Sequence, residues 1–300
     1  MTKHIFWIAS YPKSGNTLIR SIISSLFFST DGIFNFDLLK KIVVFEELNR
    51  LKNIPSTAPE NIVDISWEDK NDLIYKNLYQ IQDKKNLGFN EDFAFFKTHY
   101  NANTFNGSEF LIKDYVRGII YIYRDPRDVC ISWARHANLS YKKSLEFMIK
   151  KNSSINWIAD NYEIYGKNIP VYLSSWDNHV NSWINNYLSC PLLLIKYEDL
   201  VYNKRNIILK IIEFFKINYK IEILNRNIKI ENIIKSTEFK NLQEIESKMG
   251  FVEASKFSKF FAVGKKEQWR SELKKNEVEL IEKKFHELMK KLNYKLAVEF

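Results

Sequence analysis

The sequence predicts an α/β fold in which a central, mainly parallel β-sheet is flanked by helices. Short apolar runs, typical of buried strands, alternate along the chain with segments whose apolar residues recur at helical spacing. Strands separated by helices are typical of a parallel sheet covered on both faces. The 300 residues show neither an internal repeat nor a low-complexity linker, so a single domain over residues 1–300 is expected.

The first strand is predicted at residues 4–9, a run rich in aromatic and β-branched residues that ends at a proline turn. A tight loop containing Gly15 follows, and from Thr17 onward the apolar residues recur at helical spacing. A strand, a glycine loop and a helix leave backbone N–H groups pointing at an anion, so we expect a P-loop-like phosphate site. An ordinary strand-to-helix turn is the alternative. The loop also supplies a positive charge and short hydrogen-bond donors: Lys13, Ser14, Asn16 and Thr17.

A second buried strand is predicted at residues 92–96, after a mixed stretch at 31–66 and a helix at 67–82. This strand ends at Lys97-Thr98-His99, and side chains two residues apart on a strand point the same way. A lysine and a histidine on one face suggest a general base beside an electrostatic stabiliser. A purely structural histidine is the alternative.

The third strand is predicted at residues 118–123, and it runs directly into Arg124 and a helix at 129–136. Arginine suits phosphate because its planar fork donates two parallel hydrogen bonds, and Ser132 lies on the helix side that faces the strand end. We therefore expect a second phosphate site here, with Asp125 and Asp128 orienting the arginines. The alternative is a helix cap with a surface salt bridge between Arg127 and Asp128.

The fourth strand is predicted at residues 192–195, and the rest of the chain is mainly helical and rich in lysine. The last helix, at 276–292, suits either a surface position or a homodimer contact. Polar clusters follow all four strands, and ligands bind at the carboxyl ends of parallel strands. This coincidence indicates one ligand site at that edge of the sheet.

The composition narrows the partners and the compartment. The net charge is +9, but the lysines are scattered and no nucleic-acid-binding motif is present, so no nucleic-acid partner is expected. Cys130 and Cys190 cannot form a disulfide framework or a zinc site, and buried thiols fit a reducing compartment. The first apolar run is too short for a signal peptide, and no run approaches the roughly 18 apolar residues of a membrane span. A cytoplasmic protein without a metal is expected.

Three segments resemble motifs of sulfotransferases that use 3′-phosphoadenylyl sulfate (PAPS). Residues 11–17 (YPKSGNT) resemble the loop that binds the 5′-phosphosulfate, and residues 124–132 (RDPRDVCIS) resemble the 3′-phosphate motif. Residues 96–99 (FKTH) are similar to the segment that carries the catalytic histidine. Residues 194–199 (LIKYED) resemble the strand whose tyrosine lies near the adenine, and residues 237–239 (TEF) resemble an adenine-contact segment. Gly264 with Trp269 resembles the family's C-terminal motif. The matches follow the family's order from residue 5 to residue 273.

The sequence departs from the family pattern at three places. Leu18 stands where cytosolic members carry a tryptophan that stacks on adenine. Ala262-Val263 replace a basic pair that grips the 3′-phosphate, and the sequence leaves open whether Lys265 or Lys266 supplies that charge. Glu267-Gln268 replace a Gly-Asp pair.

The resemblance implies in-line transfer of a sulfuryl group from PAPS to a hydroxyl or amine of a small-molecule, glycan or lipid acceptor. It implies that His99 is the base, that Lys13 stabilises the leaving phosphate oxygen, and that Lys97 holds the sulfuryl oxygens. Segments 31–66 and 248–265 are expected to shape the acceptor pocket. The residues expected to contact the nucleotide are Lys13, Ser14, Gly15, Asn16, Thr17, Arg124, Ser132, Tyr197, Thr237, Phe239, Gly264 and Lys265.

Two other functions are weighed against this one. A nucleotide-dependent kinase or other phosphoryl transferase would carry its loop lysine after the glycine and an acidic magnesium ligand, and neither is apparent. A non-catalytic nucleotide-binding protein would need no base, and His99 beside Lys97 argues against it.

Overall fold

A five-stranded sheet, with the strand order β2-β3-β1-β4-β7, lies at the centre of the fold. The computed structural model describes residues 3–46, 66–157, 169–185, 190–251, 253–255 and 257–298. A further two-stranded sheet pairs β5 with β6. The strands are β1 (Ile5–Ser10), β2 (Val43–Val44), β3 (Ala94–Thr98), β4 (Val116–Tyr123), β5 (Ser154–Trp157), β6 (Ile169–Tyr172) and β7 (Leu192–Lys196).

The register of the sheet brings the ends of two strands side by side. Strand β1 runs parallel to β3, with Ala9 opposite Thr98, and β2 runs parallel to β3, with Val44 opposite Lys97. All six residues of β1 are buried, as expected of a strand covered on both faces. The prediction of an α/β fold with a mainly parallel sheet is confirmed.

Helices connect the strands and make up most of the C-terminal half. They are α1 (Asn16–Phe28), α2 (Trp67–Lys76), α3 (Leu78–Ile81), α4 (Lys84–Leu87), α5 (Pro126–Ala137), α6 (Tyr141–Ile149), α7 (Trp176–Ile184), α8 (Tyr197–Tyr202), α9 (Lys204–Tyr219), α10 (Arg226–Ser236), α11 (Phe239–Met249), α12 (Trp269–Glu272) and α13 (Lys275–Lys291), with a 3₁₀ helix at Phe36–Lys41. None of the helices in the described ranges is both long and apolar enough to cross a membrane.

Local sequence explains two differences from the predicted elements. Helix α5 begins at Pro126, three residues before the predicted start, because Asp125 caps it by accepting a hydrogen bond from the Arg127 amide. Proline at the first helical position is preorganised for such a start. The helix predicted at 67–82 is divided into α2 and α3, since Asn77 leaves helical geometry between them.

The chain divides into two units. Unit 1 consists of Met1–Tyr11, Val43–Tyr121 and Lys150–Leu192. Its core is aromatic: the Trp7 ring meets the rings of Phe45 and Phe110 at centroid distances of 5.0 and 5.2 Å.

Unit 2 consists of Pro12–Ile42, Ile122–Ile149 and Leu193–Phe300. It has its own apolar cluster, in which Phe34, Leu39, Leu242 and Phe261 are buried. The apolar face of α13 packs against α5 and α6 in the same unit. The single domain over residues 1–300 stays a prediction.

Candidate active site

The loop between β1 and α1 is shaped to receive an anion. Lys13 and Gly15 both have positive φ, at 66° and 98°, and helix α1 begins at Asn16 without a side-chain cap on its first turn. Ser14 is buried, and its Oγ has no hydrogen-bond partner among the described residues. Uncapped amides and an unsatisfied buried hydroxyl leave this loop in need of an acceptor, and a phosphate oxygen would provide one.

Glycine is the residue type that fits position 15 of this loop. A Cβ at Gly15 would lie 2.5 Å from the Tyr197 ring, far inside van der Waals contact. Its φ of 98° is also one that residues with a Cβ rarely adopt. The ring of Tyr197 therefore packs directly against the backbone of the loop.

Lys13 supplies a cation whose proton is loosely held. Burial, and secondarily the nearby charge of Arg124, lower the pKa of Lys13 to about 8, while Glu253 and Glu246 act in the opposite direction. The Lys13 Nζ lies 4.4 Å from the centroid of the Phe260 ring. The ammonium is thus held against an aromatic face in a poorly solvated place, where an added anion would be strongly attracted.

Arg124 ties the loop to the C-terminal segment. Its Nη1 donates to the Lys13 carbonyl at 3.1 Å, and its Nη2 donates to the Lys265 carbonyl at 3.3 Å. The guanidinium lies 4.2 Å above the Tyr197 ring and 3.9 Å from a carboxylate oxygen of Asp128. In the described ranges its Nε has no hydrogen-bond partner although the side chain is buried. A donor held in this way suits an incoming phosphate.

The acidic residues beside the two arginines orient them, as the sequence predicts. Asp125 lies 2.6 Å from Arg127, which also pairs with Glu282 and lies 3.8 Å from the Trp269 ring. Asp128 accepts hydrogen bonds from the amides of Glu267 and Trp269. Burial raises the pKa of Asp128 to about 6, with Arg124 opposing that rise. Arg127 therefore braces the fold, and Arg124 alone of the two contacts the phosphate loop.

The other residues that are predicted to contact the nucleotide also lie in unit 2, and each has a different environment. Ser132 is half-buried on α5. The Thr237 hydroxyl donates to the Ile233 carbonyl and accepts from Lys204 Nζ. Gly264 has a φ of 64°, and a Cβ there would lie 2.3 Å from the ring of Phe239. The two residues therefore pack in direct contact.

Two of the departures from the family pattern have a clear structural setting. Leu18 packs against the apolar cluster of unit 2 together with Phe239. Lys265 contributes its carbonyl to Arg124 and its side chain is exposed, and Lys266 is exposed with its Nζ 4.6 Å from the Tyr202 ring.

His99 lies at the end of β3 in unit 1, where its ring is oriented by the neighbouring strand. Its Nδ1 lies 2.7 Å from the backbone oxygen of Ser10. A carbonyl oxygen can only accept, so Nδ1 carries the proton of the neutral ring and Nε2 carries the lone pair. This is the tautomer that a general base acting through Nε2 requires.

Glu46 is a carboxylate that sequence reasoning missed. One of its oxygens accepts from the Thr98 hydroxyl at 3.0 Å and from the His99 amide, and the other lies 3.7 Å from Lys97 Nζ. Glu46 and Lys97 are each 1% exposed. Glu46 follows β2 by two residues, and no sequence signal pointed to it, because β2 is only two residues long and is not predicted as a strand.

Glu253 is a second missed carboxylate, and it contacts the phosphate loop in unit 2. It accepts from the Thr17 hydroxyl at 2.9 Å and pairs with Arg20 at 2.5 Å. Glu253 follows Thr17 by 236 residues, so no local pattern could reveal the pair. A carboxylate on Thr17 places negative charge beside the proposed anion site.

Among the residues that the structure describes, no three His, Cys, Asp or Glu side chains are grouped to hold a metal ion. Cys130 and Cys190 are buried free thiols. Parts of the predicted acceptor segments, residues 47–65, 252 and 256, lie outside the described ranges.

Fold and loop together define the class: an α/β protein with a phosphate-binding loop between its first strand and first helix. The family described as "Sulfotransferase domain" matches residues 3–293, and the chain belongs to that family.

Three known proteins illustrate the likeness. Sulfotransferase 2A1 of Macaca fascicularis is 27% identical over 203 residues, which cover 65% of this chain and 63% of that protein. Luciferin sulfotransferase of Photinus pyralis is 26% identical over 278 residues, covering 89% of this chain and 66% of that protein. The chain thus spans just under two thirds of either relative. A crystal structure of retinol dehydratase with androsterone and the inactive cofactor PAP superimposes with a TM-score of 0.60 at 17% identity, covering 100% of this chain and 83% of that one.

Proposed function

We propose that this chain is a PAPS-dependent sulfotransferase that transfers a sulfuryl group to a hydroxyl or an amine. The observation that carries the proposal is the loop from Lys13 to Thr17 with the buried Arg124 bonded to its backbone. Family membership supports the same reaction class. PAPS would supply the activated sulfuryl group and leave as adenosine 3′,5′-bisphosphate (PAP).

The residues of unit 2 fit a nucleotide with two phosphate positions. We assign the 5′-phosphosulfate to the amides of the loop and to Ser14, whose buried Oγ lacks a partner within the described chain. We assign the 3′-phosphate to Arg124, with Ser132 as a further donor. Gly15 lets the Tyr197 ring pack against the loop, and we assign Tyr197 to the surroundings of the adenine. The 3′-phosphate contact would distinguish PAPS from ATP.

We assign the base to His99. Its Nε2 would take the proton of the acceptor hydroxyl while the acceptor oxygen forms a bond to sulfur and the bond from sulfur to the phosphate oxygen breaks. Lys13 would stabilise the negative charge that develops on that phosphate oxygen. Lys97, with its charge balanced by Glu46, would hold the sulfuryl oxygens.

The acceptor is proposed only as a chemical class. One relative is named luciferin sulfotransferase, and the structure of retinol dehydratase holds androsterone. Small alcohols and phenols are therefore the first candidates for the acceptor.

A cytoplasmic location is proposed because both cysteines are buried free thiols, as in a reducing compartment. Sedimentation of the purified chain tests whether it forms a homodimer.

An acceptor screen tests the proposal. The chain is incubated with [³⁵S]PAPS and a panel of phenols, steroid alcohols and amines, and in parallel with [γ-³²P]ATP and magnesium. We expect ³⁵S in at least one acceptor, PAP in equal amount, and no ³²P transfer. Transfer of ³²P alone would establish the kinase alternative. Tight PAP binding without transfer to any acceptor would favour the non-catalytic binder.

The pKa of Lys13 predicts how PAP binding depends on pH. With a pKa of about 8, the ammonium is present at pH 7 and is lost as the pH rises through 8. Affinity for PAP is therefore expected to fall by about tenfold between pH 7 and pH 9.5, measured by calorimetry. The arginine of Lys13→Arg stays charged over this pH range, so the affinity of that variant for PAP should change little with pH.

Lys204 is the group that makes this control necessary. Burial lowers the pKa of Lys204 to about 8 as well. A steep loss of affinity in Lys13→Arg equal to that of the wild type would assign the pH dependence to Lys204 and contradict the role of Lys13.

Gly15→Ala is expected to disrupt the phosphate loop. The added Cβ would lie 2.5 Å from the Tyr197 ring at a φ of 98°, costing about 1–3 kcal/mol of folding free energy. PAP affinity should fall at least tenfold, because either the ring or the loop must move. Gly107→Ala is the matched control, since Gly107 has a φ of 82° with no atom within 4 Å of its Cβ position. Equal PAP affinities in the two variants would refute the packing argument.

A further inference from the structure

Helix α7 presents two ring N–H groups to successive carbonyls beyond β3. His179 Nε2 lies 3.0 Å from the backbone oxygen of His99, and Trp183 Nε1 donates to that of Tyr100 at 3.0 Å. His179 and Trp183 are one helical turn apart, and both are fully buried. The helix is therefore hydrogen-bonded to the backbone of the residue that we assign as the base and to that of the next residue.

The protonation of His179 follows from its partners. The His99 carbonyl can only accept, so Nε2 of His179 carries a proton and donates it. Nδ1 lies 2.9 Å from the hydroxyl oxygen of the buried Tyr121. Burial lowers the pKa of His179 to about 4, so the ring is neutral near pH 7 and its Nδ1 accepts from that hydroxyl. The His99 carbonyl thus sets the tautomer of His179, and the Tyr121 hydroxyl provides the hydrogen bond that its Nδ1 accepts.

His99 is held at three points that all belong to unit 1. Glu46 accepts from its amide, His179 donates to its carbonyl, and Ser10 accepts from its ring Nδ1. The two backbone bonds fix the peptide planes on either side of the Cα, and the ring bond fixes the direction of Nε2. Misplacing a reacting group by 1 Å costs about 100-fold in rate, so such fixing has a measurable value.

We propose that His179 is a positioning residue for the transfer reaction, acting through its hydrogen bond to the carbonyl of His99 while the Tyr121 hydroxyl holds its Nδ1. This inference rests on the proposed function, because it presumes that His99 is the base. His179 itself touches neither donor nor acceptor in this account. Its effect must therefore vanish when His99 is removed.

The test compares His179→Leu with His179→Gln, with turnover measured on the best acceptor of the screen. His179→Leu removes the donor, and we expect kcat to fall about 10-fold to 100-fold while PAP affinity stays within twofold. Glutamine keeps an N–H donor and is expected to recover most of kcat. Tyr121→Phe removes the hydrogen bond to Nδ1 of His179 but leaves its bond to His99, so kcat should fall by a smaller factor.

His4→Leu is the matched control for removing a buried histidine from unit 1. His4 lies directly before β1, at the opposite end of that strand from Ser10, the contact of His99. Its Nε2 pairs with the Gln82 carbonyl. This variant should lose thermal stability without losing kcat. If His179→Leu does not fold, the glutamine and Tyr121 variants still decide. Unchanged kcat in a folded His179→Leu, or equal losses in leucine and glutamine variants, would overturn the proposal.

A double variant separates this inference from the assignment of the base. If His179 acts through His99, kcat of His99→Ala/His179→Leu should equal that of His99→Ala alone. A further loss by the full His179→Leu factor would overturn the positioning role. Full activity of His99→Ala would instead refute the base itself. Nitrogen-15 spectra of the His99 ring, read with PAP bound, should report one tautomer in the wild type and a mixture in His179→Leu.

Discussion

His99→Ala is expected to lower kcat by about 100-fold to 10,000-fold, with PAP affinity within twofold of the wild type. The ring is oriented by the Ser10 carbonyl, and its Nε2 is the atom that would take the acceptor's proton. The nucleotide contacts that we propose lie in unit 2, whereas His99 belongs to unit 1. Turnover of [³⁵S]PAPS and calorimetry with PAP measure the two quantities separately.

His99→Asn sharpens that experiment. The asparagine amide can still donate to the Ser10 carbonyl, but it provides no base, so the fold should be kept and the activity lost. His286→Ala is the control, because His286 lies on α13 and pairs with its neighbour Glu287. Wild-type turnover in His99→Asn would show that another group takes the proton.

Arg124→Ala is expected to weaken PAP binding by about 10-fold to 150-fold, which corresponds to the loss of a charge-assisted hydrogen bond of about 1.5–3 kcal/mol. The affinity for adenosine 5′-monophosphate, which lacks the 3′-phosphate, should change much less. The ratio of the two affinities therefore reports the 3′-phosphate contact itself. Arg124→Lys should restore little, because lysine lacks the planar fork that bonds to two carbonyls and stacks on Tyr197.

Arg205→Ala provides the matched control for removing an arginine from unit 2. Arg205 forms an exposed pair with Glu231, and such pairs contribute little. Its PAP affinity should equal that of the wild type. Equal weakening of PAP and adenosine 5′-monophosphate in Arg124→Ala would mean that Arg124 only braces the loop.

The parts of the fold that sequence predicted are those with dense local signals. Strands β1, β3, β4 and β7 each contain an apolar run, and each predicted run overlaps its strand. Strand β2 is only two residues long and lacks any such signal. Helix α5 was predicted to begin three residues late, because its start depends on the cap by Asp125 and on Pro126 rather than on periodicity.

The candidate site shows the same division. The loop at Gly15 and the turn at Arg124 were predicted because each is a compact motif that follows a strand. Glu46 and His179 were not assigned to the site, since their bonds to His99 span 53 and 80 residues. A buried pairing over such distances leaves no periodic trace in the sequence, and only the folded arrangement reveals it.

The most direct test of the account is transfer of ³⁵S from [³⁵S]PAPS to the acceptor panel, run side by side with the wild type and with His99→Asn. We expect labelled product and stoichiometric PAP from the wild type. We expect His99→Asn to form product at least 100-fold more slowly while binding PAP equally well. Equal labelling by both proteins would contradict the role of His99, and labelling by neither would contradict sulfuryl transfer to acceptors of this kind.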